Sequence, residues 1–223
     1  MAVPYLNFLF DHRYKTFKRR TLLDALPEFE VRKHCGMERQ DAINLFEVIE
    51  PFITNPTNRG HSVPAETQFL TAMSFFRSGS FQYVESSVGG VSQSTISRIL
   101  EKFSSTIVRE LLPASLTFES TVQALNRAKS EFFNIHNLPN VIGLIDGTHI
   151  VIKSPGGPDE HTFVNRKLKH SINAQVVVNW DYSFLDAVIK YPGSTHDSFM
   201  WRHSGIRDRF MLKEFGESWL LGE

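Results

Sequence analysis

The hydrophobic pattern of the chain changes near residue 140, and this change limits the possible folds more than any other feature. Before residue 135 the apolar side chains recur at helical spacing, as in Ile96, Ile99 and Phe103, and no alternating strand pattern is present. After residue 140, short apolar runs and alternating segments predict strands. We therefore expect an α+β protein with an N-terminal arm (1–39), a helical domain (40–135) and a sheet-containing domain (140–223).

Composition excludes several classes of protein. The 223 residues include 24 basic and 24 acidic side chains, so the formal net charge is zero and nucleic-acid binding by bulk positive charge is disfavoured. Cys35 is the only cysteine, which excludes an intramolecular disulfide and a cysteine-based zinc cluster. No apolar run approaches the ~20 residues that span a bilayer, and the first ten residues make a poor signal peptide. We expect an intracellular protein.

Two helices around a glycine turn predict a helix-turn-helix in the helical domain. A short helix over 81–88 precedes the turn at 89–91, and Ser92 fits the N-cap of a second helix over 94–108. In such a motif the early exposed residues of the second helix reach DNA bases or phosphates. The residues at those positions are Gln93, Ser94, Ser97 and Arg98. Ordinary helical packing explains the segment at least as well, because basic and acidic residues balance between 81 and 112.

Two basic stretches are further candidates for phosphate contact. Five cations lie within Arg13–Arg20, where they could contact phosphates, act as a nuclear address or simply solvate an N-terminal arm. A second stretch around Arg166 and Lys167, which also includes Asn165, Lys169 and His170, leads into a predicted strand. A solvated edge is the alternative for this stretch.

The sheet-containing domain begins with a short apolar run at Val141–Ile145, which predicts a buried strand that ends at Asp146 and resumes at Ile150. A carboxylate at the end of a buried strand costs free energy unless a cation or hydrogen-bond donors satisfy it. Further along the chain we predict a strand with one apolar face, a third strand, a helix from His196–Asp197 and a fourth strand. The apolar face consists of Ile172, Ala174, Val176 and Val178, the third strand covers Leu185–Tyr191, and the fourth begins at Trp219–Leu221. This order matches the first part of a ribonuclease-H-like fold.

Four motifs occur in an order typical of one family. They are Gly143-Leu144-Ile145-Asp146-Gly147-Thr148-His149-Ile150, Val164–Lys167 with His170–Asn173, Pro192–Ser198, and the upstream pair Ser78–Gln82 and Val91–Arg98. From about residue 40 to the end, the sequence resembles the PIF/Harbinger superfamily of DDE transposases, specifically the Harbinger transposase-derived nucleases. The resemblance implies a ribonuclease-H-type core that hydrolyses DNA phosphodiesters with a divalent metal.

By this resemblance, Asp146 and Asp197 are the catalytic carboxylates and the metal ligands. Carboxylate oxygens suit Mg²⁺ or Mn²⁺, and a metal can activate water and stabilise the leaving oxygen. The structural alternatives are that Asp146 caps a turn with Gly147 and that Asp197 is the N-cap of the following helix. His149 and His196 flank the acids, and we expect them to be supporting donors or turn residues rather than ligands.

The resemblance also bears on partners and completeness. It implies a separate Myb-like DNA-binding partner, DNA as substrate, and a location in the nucleus and also the cytoplasm. The family continues past Trp219–Glu223, where Glu223 stands in place of an aspartate and a later helix supplies a glutamate. We therefore expect an incomplete acidic site with little or no cleavage. The alternative function is a non-catalytic DNA- or protein-binding relic that uses only the helical half.

Overall fold

The computed structural model describes residues 22–57, 62–79, 82 and 91–222. The chain forms two compact units, Met1–Pro113 and Ala114–Glu223. The basic run Arg13–Arg20 lies outside the described residues, as does the predicted helix over 81–88 apart from Gln82. The helix-turn-helix prediction therefore stays a prediction, with only its second helix in view.

The first unit is helical, as the periodicity predicts. Its helices are α1 (Leu22–Ala25), α2 (Glu28–Cys35), α3 (Arg39–Ile53), α4 (Ala65–Ser78) and α5 (Gln93–Thr106), followed by a π-helical turn (Ile107–Leu111) and α6 (Leu112–Ser115) at the boundary of the units. Helices α2 and α4 each end at a glycine in the left-handed conformation, which suits a residue without a Cβ. Ser92 is the N-cap of α5, as predicted, and its hydroxyl accepts the amide of Thr95.

Aromatic side chains fill the core of the first unit. The ring of Phe69 packs edge-to-face on Phe46 at 5.4 Å and on Phe103 at 6.0 Å between centroids. Helix α5 contributes its predicted apolar face, with Ile96, Ile99 and Phe103 buried. Burial of one face of α5 leaves the opposite face exposed to solvent.

The second unit contains a mixed four-stranded sheet with helices. In chain order it comprises α7 (Val122–His136), β1 (Val141–Val151), a 3₁₀ turn (Glu160–Phe163), β2 (Ser171–Val178), β3 (Phe184–Pro192), α8 (Asp197–Arg202), α9 (Gly205–Met211) and β4 (Trp219–Leu221). The strand order is β3-β2-β1-β4, with β4 parallel to β1 and the other pairs antiparallel. The predicted α+β class therefore holds. Helix α7, which the sequence places in the helical domain, packs against β1 and lies in the second unit.

Strand β1 does not break at Asp146, so that prediction is wrong. Strand β2 pairs with β1 from Leu144 through Val151, and this pairing carries the backbone ladder through the polar Asp146–His149 segment. Strand β4 pairs only with Val141–Leu144 on the other side. The second half of β1 is consequently exposed, which is why polar side chains are tolerated there.

The predicted apolar face of β2 is not its most buried face. Residues Ser171, Asn173, Gln175 and Val177 form its most buried face, together with buried Ala174 from the other side. Helix α8, anchored by the fully buried Met200, packs against β2 and covers polar side chains there. Within the part of the chain that the structure describes, no helix is long and apolar enough to cross a membrane.

Candidate active site

Asp146 lies in the exposed half of β1, opposite Val176 of β2. Its Oδ1 accepts a hydrogen bond from the backbone amide of Gly147 at 2.7 Å. The local bond to Gly147 that the structural alternative predicts is therefore present, although it forms within a strand and not at a turn. One carboxylate oxygen is engaged in this way, and the exposed side chain remains accessible to a ligand.

Asp197 is the first residue of α8, in the first turn of the helix, where a negative charge is favourable. His196 is the N-cap, so the alternative that Asp197 is the N-cap is wrong. The carboxylate is positioned from β2, because Nδ2 of Asn173 donates to the Thr195 carbonyl at 2.9 Å and to Asp197 Oδ1 at 3.0 Å. Asn173 is 2% exposed, so this clamp is rigidly packed in the sheet.

Gly147 contacts both acidic residues. A Cβ built on Gly147 would lie 2.8 Å from Cγ and 3.1 Å from Oδ2 of Asp197, closer than packed atoms allow. The Asp197 carboxylate therefore occupies the space that a side chain at residue 147 would fill, while Asp146 bonds to the amide of the same residue. Asp146 therefore contacts the backbone amide of Gly147, and Asp197 covers the side-chain face of the same residue. Because successive side chains of a strand point to opposite faces, the two carboxylates approach Gly147 from different sides.

Two buried amide oxygens lie on the same face of the sheet. Oδ1 of Asn173 and Oε1 of Gln175 have no hydrogen-bond partner among the described residues. Gln175 stands opposite Gly147, and Asn173 stands opposite His149. Buried polar atoms of this kind normally have a partner, such as an ordered water or an ion. The sequence analysis did not include these residues in the site. The alternation of polar Asn173 and Gln175 with apolar neighbours in β2 was the available signal.

A chain of three polar residues lies beside the acids on the same face. Nδ2 of Asn165 donates to Ser171 Oγ at 3.0 Å, and Ser171 Oγ lies 3.2 Å from His149 Nδ1. Asn165 and Ser171 are buried, whereas His149 is exposed. The ring of His149 is therefore held by a buried hydroxyl, and its expected role as a supporting donor stays a prediction.

The basic stretch forms a tight loop before β2. Oδ1 of Asn165 accepts the amides of Lys167 and Lys169 at 2.9 and 3.1 Å, which closes the loop. Arg166 and Lys167 are exposed at its surface, so both predicted DNA-binding residues are available. His170 instead pairs with Glu160 at 3.0 Å, and Asn165 faces inwards, so these two do not serve as free phosphate contacts.

The other predicted DNA-binding residues lie on α5 in the first unit. Gln93, Ser94, Ser97 and Arg98 are all exposed, on the side of the helix away from its buried apolar face. Arg98 is held against its own helix by a bond from Nε to the Ser94 carbonyl at 3.1 Å. The arrangement presents hydroxyl, amide and guanidinium groups together.

The donor atoms around Gly147 suit a hard cation. Two carboxylates and a buried amide oxygen without a partner supply the oxygen ligands that Mg²⁺ and Mn²⁺ prefer. Residues 22–57, 62–79 and 91–222 contain no group of three or more His, Cys, Asp or Glu side chains arranged to hold a metal. On the face of the sheet that Gly147 shares with Asp197, the described oxygen donors are the Asp197 carboxylate and the amide oxygens of Asn173 and Gln175, whereas the side chain of Asp146 leaves the strand on the opposite face.

A cavity of about 410 Å³ lies elsewhere in the second unit, next to the start of α7 and the β2–β3 turn. Its lining includes Phe118, Arg127 and Trp180, and none of the predicted site residues. The candidate site is instead an open surface at the exposed half of β1. An open surface gives a polymer room to lie across the strand.

Comparison with known proteins defines the class. Residues 145–223 match the family described as DDE superfamily endonuclease, and this segment includes both Asp146 and Asp197. The match begins in β1 and runs through the sheet described above. The second unit thus carries a segment of a DDE endonuclease, as the motifs predict.

The particular relatives are Harbinger-derived. The chain is 32% identical over 233 residues to "Putative nuclease HARBI1" of Bos taurus, covering 100% of this chain and 64% of the relative. The Homo sapiens protein of the same name is 30% identical over 228 residues, with the same coverage. "Protein ALP1-like" of Arabidopsis thaliana is 30% identical over 160 residues, or 70% of this chain and 38% of the relative. The chain is similar over its whole length to the HARBI1 proteins, in agreement with the predicted resemblance to Harbinger-derived nucleases.

The chain spans about 64% of the length of the HARBI1 relatives that it matches. No solved structure gave a significant match.

Proposed function

We propose that the second unit is a transposase-derived nuclease site of the ribonuclease-H type that acts on the phosphodiesters of DNA with Mg²⁺ or Mn²⁺. Asp146 and Asp197 are the metal ligands and catalytic carboxylates. The observation that carries the proposal is the contact of both acids with Gly147, Asp146 through its backbone amide and Asp197 on its side-chain face, within the segment that matches a DDE endonuclease. The strand order β3-β2-β1-β4 with β4 parallel to β1 supports the ribonuclease-H-like assignment.

The residues of this chain perform distinct tasks. Asn173 orients Asp197, and the backbone amide of Gly147 orients Asp146. Exposed Arg166 and Lys167 attract the phosphate backbone to this side of the unit. A divalent cation, when bound, supplies Lewis-acid stabilisation of the negative charge that develops during phosphodiester hydrolysis.

The described site has two carboxylates and no third, so we expect this chain to cleave slowly at most. Supercoiled plasmid incubated with Mn²⁺ should show slow nicking that both Asp146→Asn and Asp197→Asn abolish, because each removes a negatively charged ligand. Asp208→Asn, an exposed carboxylate in α9 of the same unit, is the matched control and should leave nicking unchanged. Nicking that survives in both site variants would contradict the proposal. Robust cleavage by the unaltered chain would instead contradict the expected impairment.

A second candidate function is a non-catalytic DNA-binding or protein-binding role of the helical unit, in cooperation with a Myb-like partner. The exposed polar face of α5 favours it, because Gln93, Ser94, Ser97 and Arg98 can bond bases or phosphates without unfolding the helix. Location in the nucleus, and also in the cytoplasm, belongs to the same proposal and rests on the family resemblance.

The Arg98→Ala variant tests whether α5 binds DNA or serves only as a packed helix. If Arg98 contacts a phosphate, its loss should weaken duplex binding about 3- to 10-fold and lower the salt slope by about one. Fluorescence anisotropy across a salt series measures both quantities. Arg109→Ala removes an exposed cation beyond α5 and should have less effect. Equal effects of the two variants would indicate a solvated helix face and exclude specific contact by Arg98.

A further inference from the structure

His149 is an exposed side chain whose ring is held by two buried residues, and the hydrogen bonds identify its tautomer. The starting point is Asn165, which is 6% exposed. Its Oδ1 accepts two backbone amides, from Lys167 and Lys169. Amides can only donate, so the oxygen of the Asn165 side chain must face them and the nitrogen must face Ser171. The amide of Asn165 therefore cannot be flipped.

The orientation of Asn165 determines the role of Ser171. Nδ2 of Asn165 donates to Ser171 Oγ at 3.0 Å, so the hydroxyl accepts there and retains one proton to donate. Ser171 is fully buried, and His149 Nδ1 at 3.2 Å is its other hydrogen-bond partner among the described residues. A buried hydroxyl proton without an acceptor is costly, so the proton points to Nδ1. The neutral ring of His149 therefore carries its own proton on Nε2.

The position of Ser171 is set by close packing against Gly193. A Cβ on Gly193 would lie 2.5 Å from the Phe163 carbonyl oxygen and 2.8 Å from that of Ser171. The turn after β3 thus packs closely against Ser171 and restricts the rotation of its hydroxyl. The packing of the second unit therefore favours one tautomer of His149.

His149 lies on the same face of β1 as Gly147, two residues further along the strand. Its partner across the sheet is Asn173, whose side chain holds Asp197. The residue that orients His149, Asn165, also closes the loop that exposes Arg166 and Lys167. His149 is therefore linked to the basic loop through Ser171 and Asn165, and its cross-strand neighbour Asn173 holds Asp197.

We propose that His149 contacts the substrate and donates a hydrogen bond from Nε2–H to a phosphate oxygen of a phosphodiester. Ser171 and Asn165 are positioning residues that fix this tautomer. The proposal rests on the nuclease function proposed above and adds to it an N–H donor near the loop cations. The loop cations attract the nucleic-acid backbone at long range. A fixed N–H group instead determines which phosphate of the backbone lies opposite Asp197.

The tautomer can be tested without DNA by ¹⁵N NMR of the imidazole rings in the full chain at pH 8. The chain has 9 histidines, and His149→Gln identifies the signal of interest. We expect a protonated Nε2 and an unprotonated Nδ1 for His149. His203 is an internal control with the opposite tautomer, because its Nδ1 lies 2.8 Å from the Phe199 carbonyl and must donate to it. Ser171→Ala should shift His149 towards a mixture of tautomers and leave His203 unchanged. A protonated Nδ1 in the unaltered chain would overturn the proposal.

The phosphate contact is tested by adding a short duplex oligonucleotide in the absence of metal. We expect the Nε2 signal of His149 to move, and His149→Ala to weaken binding about 3- to 10-fold. His149→Gln retains an N–H at a similar reach and should recover part of the affinity. Arg166→Ala is a reference that weakens binding without changing the tautomer. If Arg166→Ala weakens binding but the His149 signal does not move, the contact is refuted while the nuclease proposal stands. If no DNA binds at all, the proposed function and this contact fail together.

Discussion

Strand β1 carries no side chain at residue 147, and the Asp197 carboxylate occupies the vacant space. The sequence placed Asp146 and Asp197 in the site through two motifs far apart in the chain. It could not place Gly147 between them, because that contact depends on where α8 packs on the sheet. It also could not identify Asn173 as the clamp of Asp197, since a polar residue in a strand gives no sign of its partner.

Gly147→Ala should therefore disrupt the site by steric overlap. The added methyl would contact Asp197 and force α8 or the carboxylate to move, at a cost of about 1–3 kcal/mol in the free energy of unfolding. Urea denaturation measures the cost. Gly205→Ala is the matched control, because a Cβ at Gly205 meets nothing within 4 Å. Equal stability of Gly147→Ala and the unaltered chain would show that Asp197 does not occupy this space in solution.

Cys35 allows a prediction about pH. Burial raises the pKa of its thiol from 9.0 to about 11. An unfolded chain would release this proton near pH 9 while the folded chain keeps it, so the free energy of unfolding should fall as the pH rises from about 9 to about 11. The loss attributable to this group is at most about 2–3 kcal/mol. Urea unfolding at pH 8 and 10.5 should show a larger decrease for the unaltered chain than for Cys35→Ala. Identical decreases would show that the thiol titrates normally.

Secondary-structure elements were predicted best where the local pattern and the packing agree. Helix α5 has a capping serine, a regular apolar face and a buried side that matches it. Strand β1 was misread because Asp146–His149 looks like a turn, whereas pairing with β2 keeps the backbone extended. The aliphatic residues of β2 share one face, as predicted, but the opposite face, which carries the polar Asn173 and Gln175, is the more buried one. Tertiary contacts decide both cases, and the sequence does not display them.

The cap of α5 can be tested on its own. Ser92 Oγ accepts the Thr95 amide at 3.2 Å, so Ser92→Ala should lower the free energy of unfolding by about 1 kcal/mol. Ser97→Ala, on the exposed side of the same helix, is the control and should change stability by less than about 0.5 kcal/mol. Chemical denaturation followed by circular dichroism measures both. A Ser92 variant as stable as its control would mean that the cap bond contributes nothing in solution.

The assembled chain has two kinds of surface that could engage nucleic acid, one on each unit. The α5 face presents Gln93, Ser94, Ser97 and Arg98, and the second unit presents Arg166 and Lys167 beside the acids. Both were predicted from the sequence as candidate residues, because exposed polar and basic side chains near family motifs carry a local signal. The resemblance to Harbinger-derived nucleases was likewise predicted, and the similarity to the HARBI1 proteins over the full chain confirms that resemblance.

Sharing of one divalent cation by Asp146 and Asp197 is tested most directly by thermal unfolding of the full chain with and without Mn²⁺. A cation that binds the folded protein at ten times its Kd stabilises it by about 1.4 kcal/mol, which corresponds to a Tm rise of about 5 °C or more for a unit of this size. We predict this rise for the unaltered chain and for Asp208→Asn, and its loss in both Asp146→Asn and Asp197→Asn. No rise in the unaltered chain, or a rise that persists in either site variant, would contradict the shared site.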